Sequence, residues 1–375
     1  MERAYRQESE GVHVRVDPLL WMIPLVLVAF GIMMIFSLTA QVSLEELGSP
    51  FALGLRQVQW FCIAIGAMVM VYVIPISFWR RSSGIIWLFA LLLLVLTLIP
   101  GVGIKAGGAR RWLGVGGFRF QPVEFLSLAV AVHLAKLMSV SPKRGLSSFL
   151  SVTLMILGIS VLPLIFQPNI GGTMVIFGLV MALHVEARGW SWPVFLGGGA
   201  LMASFPLILS AGYRVRRYMA FLNPWEEPMD SGFQMIQGLV AFSNGGILGV
   251  GIGKGLQKLN YLPAAHTDYI FATIGEEFGF VGTISVILLF FLWTTRACSV
   301  YKAARSTEDP FLASLVWGVT VSVLIPFFIN LGGVLKLMPL TGIPLPFVSY
   351  GGSSLLFMWA KVGLLMRACR EIYAS

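Results

Sequence analysis

The side chains best suited to chemistry are a few acids and bases set in or beside long apolar stretches. The segment YLPAAHTDYIFATIGEE, residues 261–277, places Asp268, Glu276 and Glu277 close together among apolar neighbours. Each ionised carboxylate costs kilocalories in hydrocarbon, so each needs a partner, a hydrated cavity or a task. A fourth acid, Glu124, follows the run GARRWLGVGGFRFQP, which carries Arg110, Arg111 and Arg119. A positioned carboxylate takes a proton from a reacting hydroxyl, and guanidinium groups grip phosphate or carboxylate oxygens two at a time. Together these types suit a reaction on an anionic substrate.

Plainer readings stand beside the chemical ones. Asp268 directly precedes an apolar run, as a helix N-cap would, and spacing alone leaves cap and chemistry both open. Glu124 falls in the first turn after Pro122, where a carboxylate also favours the helix dipole. Glu276 and Glu277 lie roughly 12–14 Å further along the helix than Asp268. Neighbouring residues point about 100° apart, so at least one of the two must pair or line a hydrated space. Lys136, about 18 Å along its own helix from Glu124, is a candidate partner. For Glu276, Glu277 and Lys136 a structural buried ion pair is the favoured reading.

The elements that must position these groups are membrane helices. The chain has 375 residues, of which 57% are hydrophobic and 11% charged, with a mean hydropathy of +0.85. A soluble chain carries about 25% charged residues, and apolar runs near the ~20 residues that cross a bilayer recur here. The expected fold is an all-α polytopic membrane protein with ten transmembrane helices, at 19–40, 58–78, 84–100, 122–139, 150–166, 171–186, 193–212, 269–293, 312–332 and 352–369. Residues 1–18 read as a cytoplasmic N-terminal segment, its mixed charges followed by a retained helix rather than a cleaved signal. Residues 19–375 read as one transmembrane domain with long connections at 101–121 and, between helices seven and eight, at 213–268.

Ten spans put both termini on one side, expected to be the cytoplasm. Outside the two long connections, inner segments hold thirteen cations, and outer ones only Arg56 and Lys336. That is a clear positive-inside bias. Nine further cations belong to the long outer connections. Long loops cross with little regard to charge, but the short 101–121 loop runs against the rule, and its cluster fits an anionic ligand better than lipid headgroups alone. In this topology Asp268, Glu124 and the nine cations meet on the extracytoplasmic face.

Several chemistries are excluded. Cys62, Cys298 and Cys369 have no paired spacing, and the four histidines show no i,i+3 or i,i+4 pair, so neither a disulfide framework nor a zinc site is expected. GVGIKA at 101–106 follows a membrane helix rather than a strand, and GVGIGKG at 249–255 lacks the spacing and hydroxyl of a phosphate loop. Aromatic and basic residues interleave in RRW and RRYMAF as at an interfacial belt, so membrane lipid and not nucleic acid is expected beside them.

Read together, GARRWL, FQPVEF, SGFQMIQGLVAFSNGGILGVGIG, QKLNYLPAAHTDYIFATIGEEFGFVG and PLTGIPLPFVSYGGSSLL resemble one family. It is the SEDS family of peptidoglycan glycosyltransferases, which includes FtsW, RodA and SpoVE. QKLNYLPAAHTD is more similar to the division-type branch, with the elongation-type branch as the alternative. The resemblance implies polymerisation of lipid II on the outer face of the cytoplasmic membrane, in septal wall synthesis. It implies Asp268 as the catalytic carboxylate, with Arg111, Arg119 and Glu124, and beside them Arg110, His266 and Lys336, as substrate-binding positions for diphosphate and sugar. A class B penicillin-binding transpeptidase and divisome membrane proteins are the implied partners. No cofactor is required by the pattern; a divalent cation (Mg or Mn) is the one addition it leaves room for, with no metal ligand set to name. Two positions depart from the family pattern: Ala264 stands where Glu is usual, and Thr341 where many members have Lys, with Lys336 nearby to replace it. A lipid II flippase would spread polar groups through the whole membrane depth, and a noncatalytic scaffold would leave the outer acids and arginines without purpose.

Overall fold

The computed structural model describes residues 16–106, 108–115, 118–140, 146–190, 192–199, 212–257 and 262–374. Its helices are α1 (Leu19–Leu47), α2 (Ala52–Val73), α3 (Ile76–Leu96), α4 (Pro122–Ser139), α5 (Leu146–Phe166), α6 (Ile170–Arg188), α7 (Gly212–Leu222), α8 (Phe233–Gly245), α9 (Ile270–Arg305), α10 (Pro310–Val334) and α11 (Gly352–Ala374). Seven among the described residues are long and apolar enough to cross a membrane: α1, α2, α3, α4, α6, α9 and α10. Backbone groups in lipid must bond within their own segment, which is why apolar spans become helices. The chain is a multi-pass membrane protein. Of the seventh expected span, residues 192–199 are helical and 200–211 lie outside the described residues.

Three expectations need correction. The apolar run through 78 ends as helix at Val73, because Ile74 and Pro75 are extended and a residue before proline is pushed out of the helical region. The next helix then begins at Ile76, eight residues before the expected start, and takes in Arg80 and Arg81. Arg80 is held there by Asp309, the N-cap of α10, and lies 4.6 Å over the Phe311 ring. Secondly, the fold is mostly helical rather than all-α. The 101–121 connection forms a three-stranded antiparallel sheet, β1 (Gly103–Ala106), β2 (Ala109–Val115) and β3 (Phe118–Phe120), with Gly103 opposite Leu113 and Leu113 opposite Phe120. Strands of three to seven residues give too few alternations to stand out from a loop. Thirdly, the 213–268 connection carries α7 and α8.

α10 is the buried centre and packs against α4, α6, α9 and α11. α9 is broken at Gly279, whose φ of 66° and ψ of −161° are open essentially to glycine alone. The segment after α8 restitches the break. Val250 and Gly251 donate to the carbonyls of Glu276 and Glu277, each at 3.0 Å, while Phe280 and Val281 donate to those of Gly246 and Ile247 at 2.9 and 3.2 Å. A Cβ on Gly279 would sit 2.4 Å from the Gly249 nitrogen, so the close approach also demands glycine. This is the structural use of the glycines in GGILGVGIGKG.

Candidate active site

Five chain segments meet at a cavity of about 50 Å³, lined by Arg111 from β2, Glu124 and Ser127 from α4, Asn169 at the start of α6, Pro326 from α10, and Thr341 and Gly342 from the connection before α11. Each arrives for a local reason. Pro122 fits the first turn of α4 and leaves Glu124 in that turn. Asn169 caps α6 by accepting from the Gly172 N–H at 3.0 Å. Arg111 reaches across from the sheet and donates through Nη2 to the Pro168 carbonyl at 2.6 Å, tying β2 to the α5–α6 turn.

Asp268 immediately precedes Tyr269 and α9 and is half-buried. Its Oδ2 lies 3.3 Å from the place a Cβ on Gly342 would occupy, so the carboxylate stands beside a residue of the cavity wall. Gly342 has a φ of 75°, a left-handed conformation that glycine takes without strain. No side-chain cap bond is made at the start of α9. The Asp268 main chain is instead held by Asn330 of α10, whose Nδ2 donates to the carbonyls of Asp268 and Ile343, both at 2.8 Å.

The SYGGSS block clamps the same region. Ser349 Oγ donates to the Thr267 carbonyl at 2.7 Å and accepts from the Leu345 N–H at 2.8 Å, and the Tyr350 N–H donates to the His266 carbonyl at 2.9 Å. Ser353 Oγ accepts from the Gln121 N–H at 3.0 Å and donates to the Arg119 carbonyl at 3.1 Å. One serine thus fixes the segment bearing Asp268, and the other fixes the junction of β3 with α4.

The remaining expected positions divide. Arg110 and Arg111 are neighbours on one strand and so project to opposite faces; only Arg111 lines the cavity. Arg119 is exposed on β3, and Lys336, with a left-handed φ of 57°, lies outside the cavity lining, where Thr341 stands instead. His266 packs edge-on to Tyr350 with centroids 5.6 Å apart. Burial holds its imidazole below the ordinary value of 6.5, with Glu46 pulling weakly the other way. Burial raises the Tyr350 phenol, against which Arg56 and Arg119 act.

The intramembrane charges are arranged otherwise than expected. Neither Glu276 nor Glu277 pairs with Lys136. Glu276 accepts from the Leu256 and Gln257 N–H groups at 3.0 and 3.2 Å and from Asn244 Nδ2 at 3.4 Å. It therefore anchors the loop that restitches α9. The Glu277 carboxyl is 1% exposed and has no hydrogen-bond partner among the described residues. Lys136 lies in the last turn of α4. The lysine whose charge acts on a cavity acid is Lys361, on α11, which packs against the α4 that carries Glu124.

Asn330, Ser349 and Lys361 had no assigned role in the sequence. A lone Asn and a lone Lys within apolar runs were the available signals, since polar groups in spans mark function or a partner. Among the described residues no three His, Cys, Asp or Glu side chains gather as a metal site, and no step below is routed through a divalent cation.

A family model described as cell cycle protein, for FtsW, RodA and SpoVE, matches residues 17–373. Stage V sporulation protein E of Bacillus subtilis is 38% identical over 358 residues, 94% of this chain and 97% of that one. A probable peptidoglycan glycosyltransferase FtsW of Thioalkalivibrio sulfidiphilus is 36% identical over 367 residues, 96% of this chain and 91% of its own. A solved structure titled for the coordination of polymerization and crosslinking by a peptidoglycan synthase complex superposes with a TM-score of 0.77 at 25% identity, covering 95% of this chain and 98% of that one. The rod shape determining protein RodA of Thermus thermophilus shares the fold, with a TM-score of 0.70 at 24% identity over 94% of this chain and 96% of its own.

Proposed function

The chain belongs to the FtsW, RodA and SpoVE family of cell cycle proteins, and from that premise we propose that it polymerises lipid II into glycan strands as a peptidoglycan glycosyltransferase. The observation that carries the reading is the Asp268 carboxylate beside Gly342, itself a wall residue of the cavity that Arg111 and Glu124 line.

In the proposed reaction Asp268 is the general base. It takes the proton of the acceptor's GlcNAc 4-hydroxyl as that oxygen attacks the donor's MurNAc anomeric carbon. The C1–O bond to diphosphate breaks on the opposite face, giving inversion, a β-1,4 link and undecaprenyl diphosphate. Proton transfer to a positioned base supplies about 10²–10⁴-fold. Arg111 neutralises charge growing on the leaving diphosphate, the kind of contribution that is often the largest single one. Arg119, exposed at the sheet edge, Arg110 and His266 meet the substrate outside the cavity, and Lys336 stands further off. Glu124 orients the acceptor from the cavity floor.

The proposed setting is ten spans with both termini cytoplasmic, residues 213–268 as the large outer connection, and the site on the extracytoplasmic face, where lipid II presents its disaccharide. The FtsW-named relative supports septal synthesis, with a class B penicillin-binding transpeptidase and divisome proteins as the proposed partners. The titled synthase complex supports a crosslinking partner of that kind. The test is incubation of purified protein with lipid II, alone and with its partner. Wild type is expected to give glycan ladders and Asp268→Asn none. Ladders from Asp268→Asn at the normal rate remove Asp268 from the mechanism, and transfer of lipid II across vesicles without ladders establishes a flippase.

A further inference from the structure

Lys361 is fully buried in α11, a costly place for a cation unless anions and acceptors surround it. One acceptor is explicit: its Nζ donates to the Ser322 carbonyl of α10 at 3.1 Å. That carbonyl is available because Pro326, four residues on, has no N–H to close the helical bond. An ammonium has three donors, and this bond uses one.

The anion is Glu124, the charge with which Lys361 interacts across the α4–α11 boundary. Ser354, in the first turn of α11, lies seven residues before Lys361 and therefore on the same face of that helix. Helical side chains lean towards the N-terminus of their helix, so the Lys361 stem points from below towards the level of Ser354 and Glu124. The two charges form no direct ion pair; Glu124 is half-buried and opens onto the cavity, where Pro326 is another wall residue. The Pro326 break in α10 thus creates the seat for a cation one helical turn from a residue of the cavity wall, on a helix packed against the one that bears Glu124.

We propose that Lys361 is a positioning residue, its buried ammonium holding the Glu124 carboxylate turned towards the substrate space. The inference rests on the glycosyltransferase reading and adds to it a charge that never touches substrate. The competing role is a purely structural one, in which Lys361 merely satisfies the carbonyl that Pro326 leaves open.

Lys361→Gln separates the two, because its amide can still donate to the Ser322 carbonyl but carries no charge. Lipid II polymerisation by the full-length protein with its partner is measured for Lys361→Gln, Lys361→Arg, Glu124→Gln and the Lys361→Gln/Glu124→Gln pair. Lys361→Gln is expected to lower turnover on the order of tenfold, and Lys361→Arg to recover most of it. In the Glu124→Gln background, Lys361→Gln is expected to change turnover by less than about twofold, as for two residues acting as a unit. Wild-type turnover in Lys361→Gln, or losses that multiply in the double variant, overturn the proposal. Should Lys361→Gln not fold, it is repeated in a Pro326→Ala background, where the restored N–H closes the Ser322 carbonyl within the helix: turnover on the order of tenfold below Pro326→Ala alone sustains the proposal, and equal turnover overturns it. Activity surviving in Asp268→Asn, run alongside, refutes the underlying reaction separately.

Discussion

Replacing Asn330 by Asp keeps the shape of the side chain and inverts its hydrogen bonding. In the wild type one amide nitrogen serves two main-chain carbonyls, those of Asp268 and Ile343, both at 2.8 Å, and the residue is 1% exposed. Two acceptors at that distance require the nitrogen, so the amide orientation follows from the geometry. A protonated Asp has one O–H and serves one carbonyl; an ionised Asp serves neither and repels both. Each stranded buried carbonyl costs about 1–3 kcal/mol, so the variant loses roughly 1–6 kcal/mol in the linkage between the Asp268 and Gly342 segments. If only ~1.4 kcal/mol of that falls on the transition-state arrangement, turnover drops tenfold. The assay is lipid II polymerisation at a temperature well below the variant's unfolding midpoint, with the midpoint measured in the same detergent. Expected are a lower midpoint and at least a tenfold loss of turnover. Polymerisation within twofold of wild type would refute the idea that Asn330 sets the position of Asp268.

Two further perturbations test the frame around the site. Gly279→Ala introduces a side chain at a glycine-only conformation, about 1–3 kcal/mol of strain, and a Cβ within 2.5 Å of the Ile247 carbonyl oxygen; the thermal midpoint should fall by several degrees, and an unchanged midpoint would deny that the 246–251 segment is locked to α9. His266 is held below its ordinary 6.5 by burial, so as pH falls through that value the unfolded chain gains its proton first. Stability is therefore full above about pH 6.5 and declines below it towards the lower folded value; midpoints measured from pH 7.5 to 5 should fall further for wild type than for His266→Gln, and parallel curves would show that the imidazole titrates normally.

Much of the frame was legible because hydropathy reports what lipid demands. The span at 122–139 coincides with α4, and Pro122 fixed its start for a backbone reason that sequence states openly. Helix ends without such punctuation ran past the apolar stretch, as where α9 continues through Arg296 and Lys302 to Arg305, because helical hydrogen bonding does not stop at the membrane surface. The sheet at 103–120 stayed hidden because its strands are short, and Arg110 and Arg111 looked alike until the strand's alternation separated them. Asp268 and Arg111 were singled out by type and by resemblance; that Arg111 lines a cavity and Asp268 stands beside its wall residue Gly342 required the fold.

The partner of each buried charge was the least legible feature, for a reason intrinsic to helices. A sequence gives the depth of a residue along its helix through the rise per residue, but not which neighbour the helix turns towards. Depth and type named Lys136 as a partner for Glu276 and Glu277 and gave Lys361 none, whereas the fold packs α11, with Lys361, against α4 and α10. Glu276 shows the same limit from the other side: its partners are main-chain N–H groups of Leu256 and Gln257, which no residue type announces. The local clue that did exist was Pro326. A proline within a buried helix frees the carbonyl four residues earlier, and a freed carbonyl in lipid must find a donor. Reading each intramembrane proline as a demand for a donor narrows the search to the few polar side chains at matching depth, and here Lys361 meets that demand from the neighbouring helix.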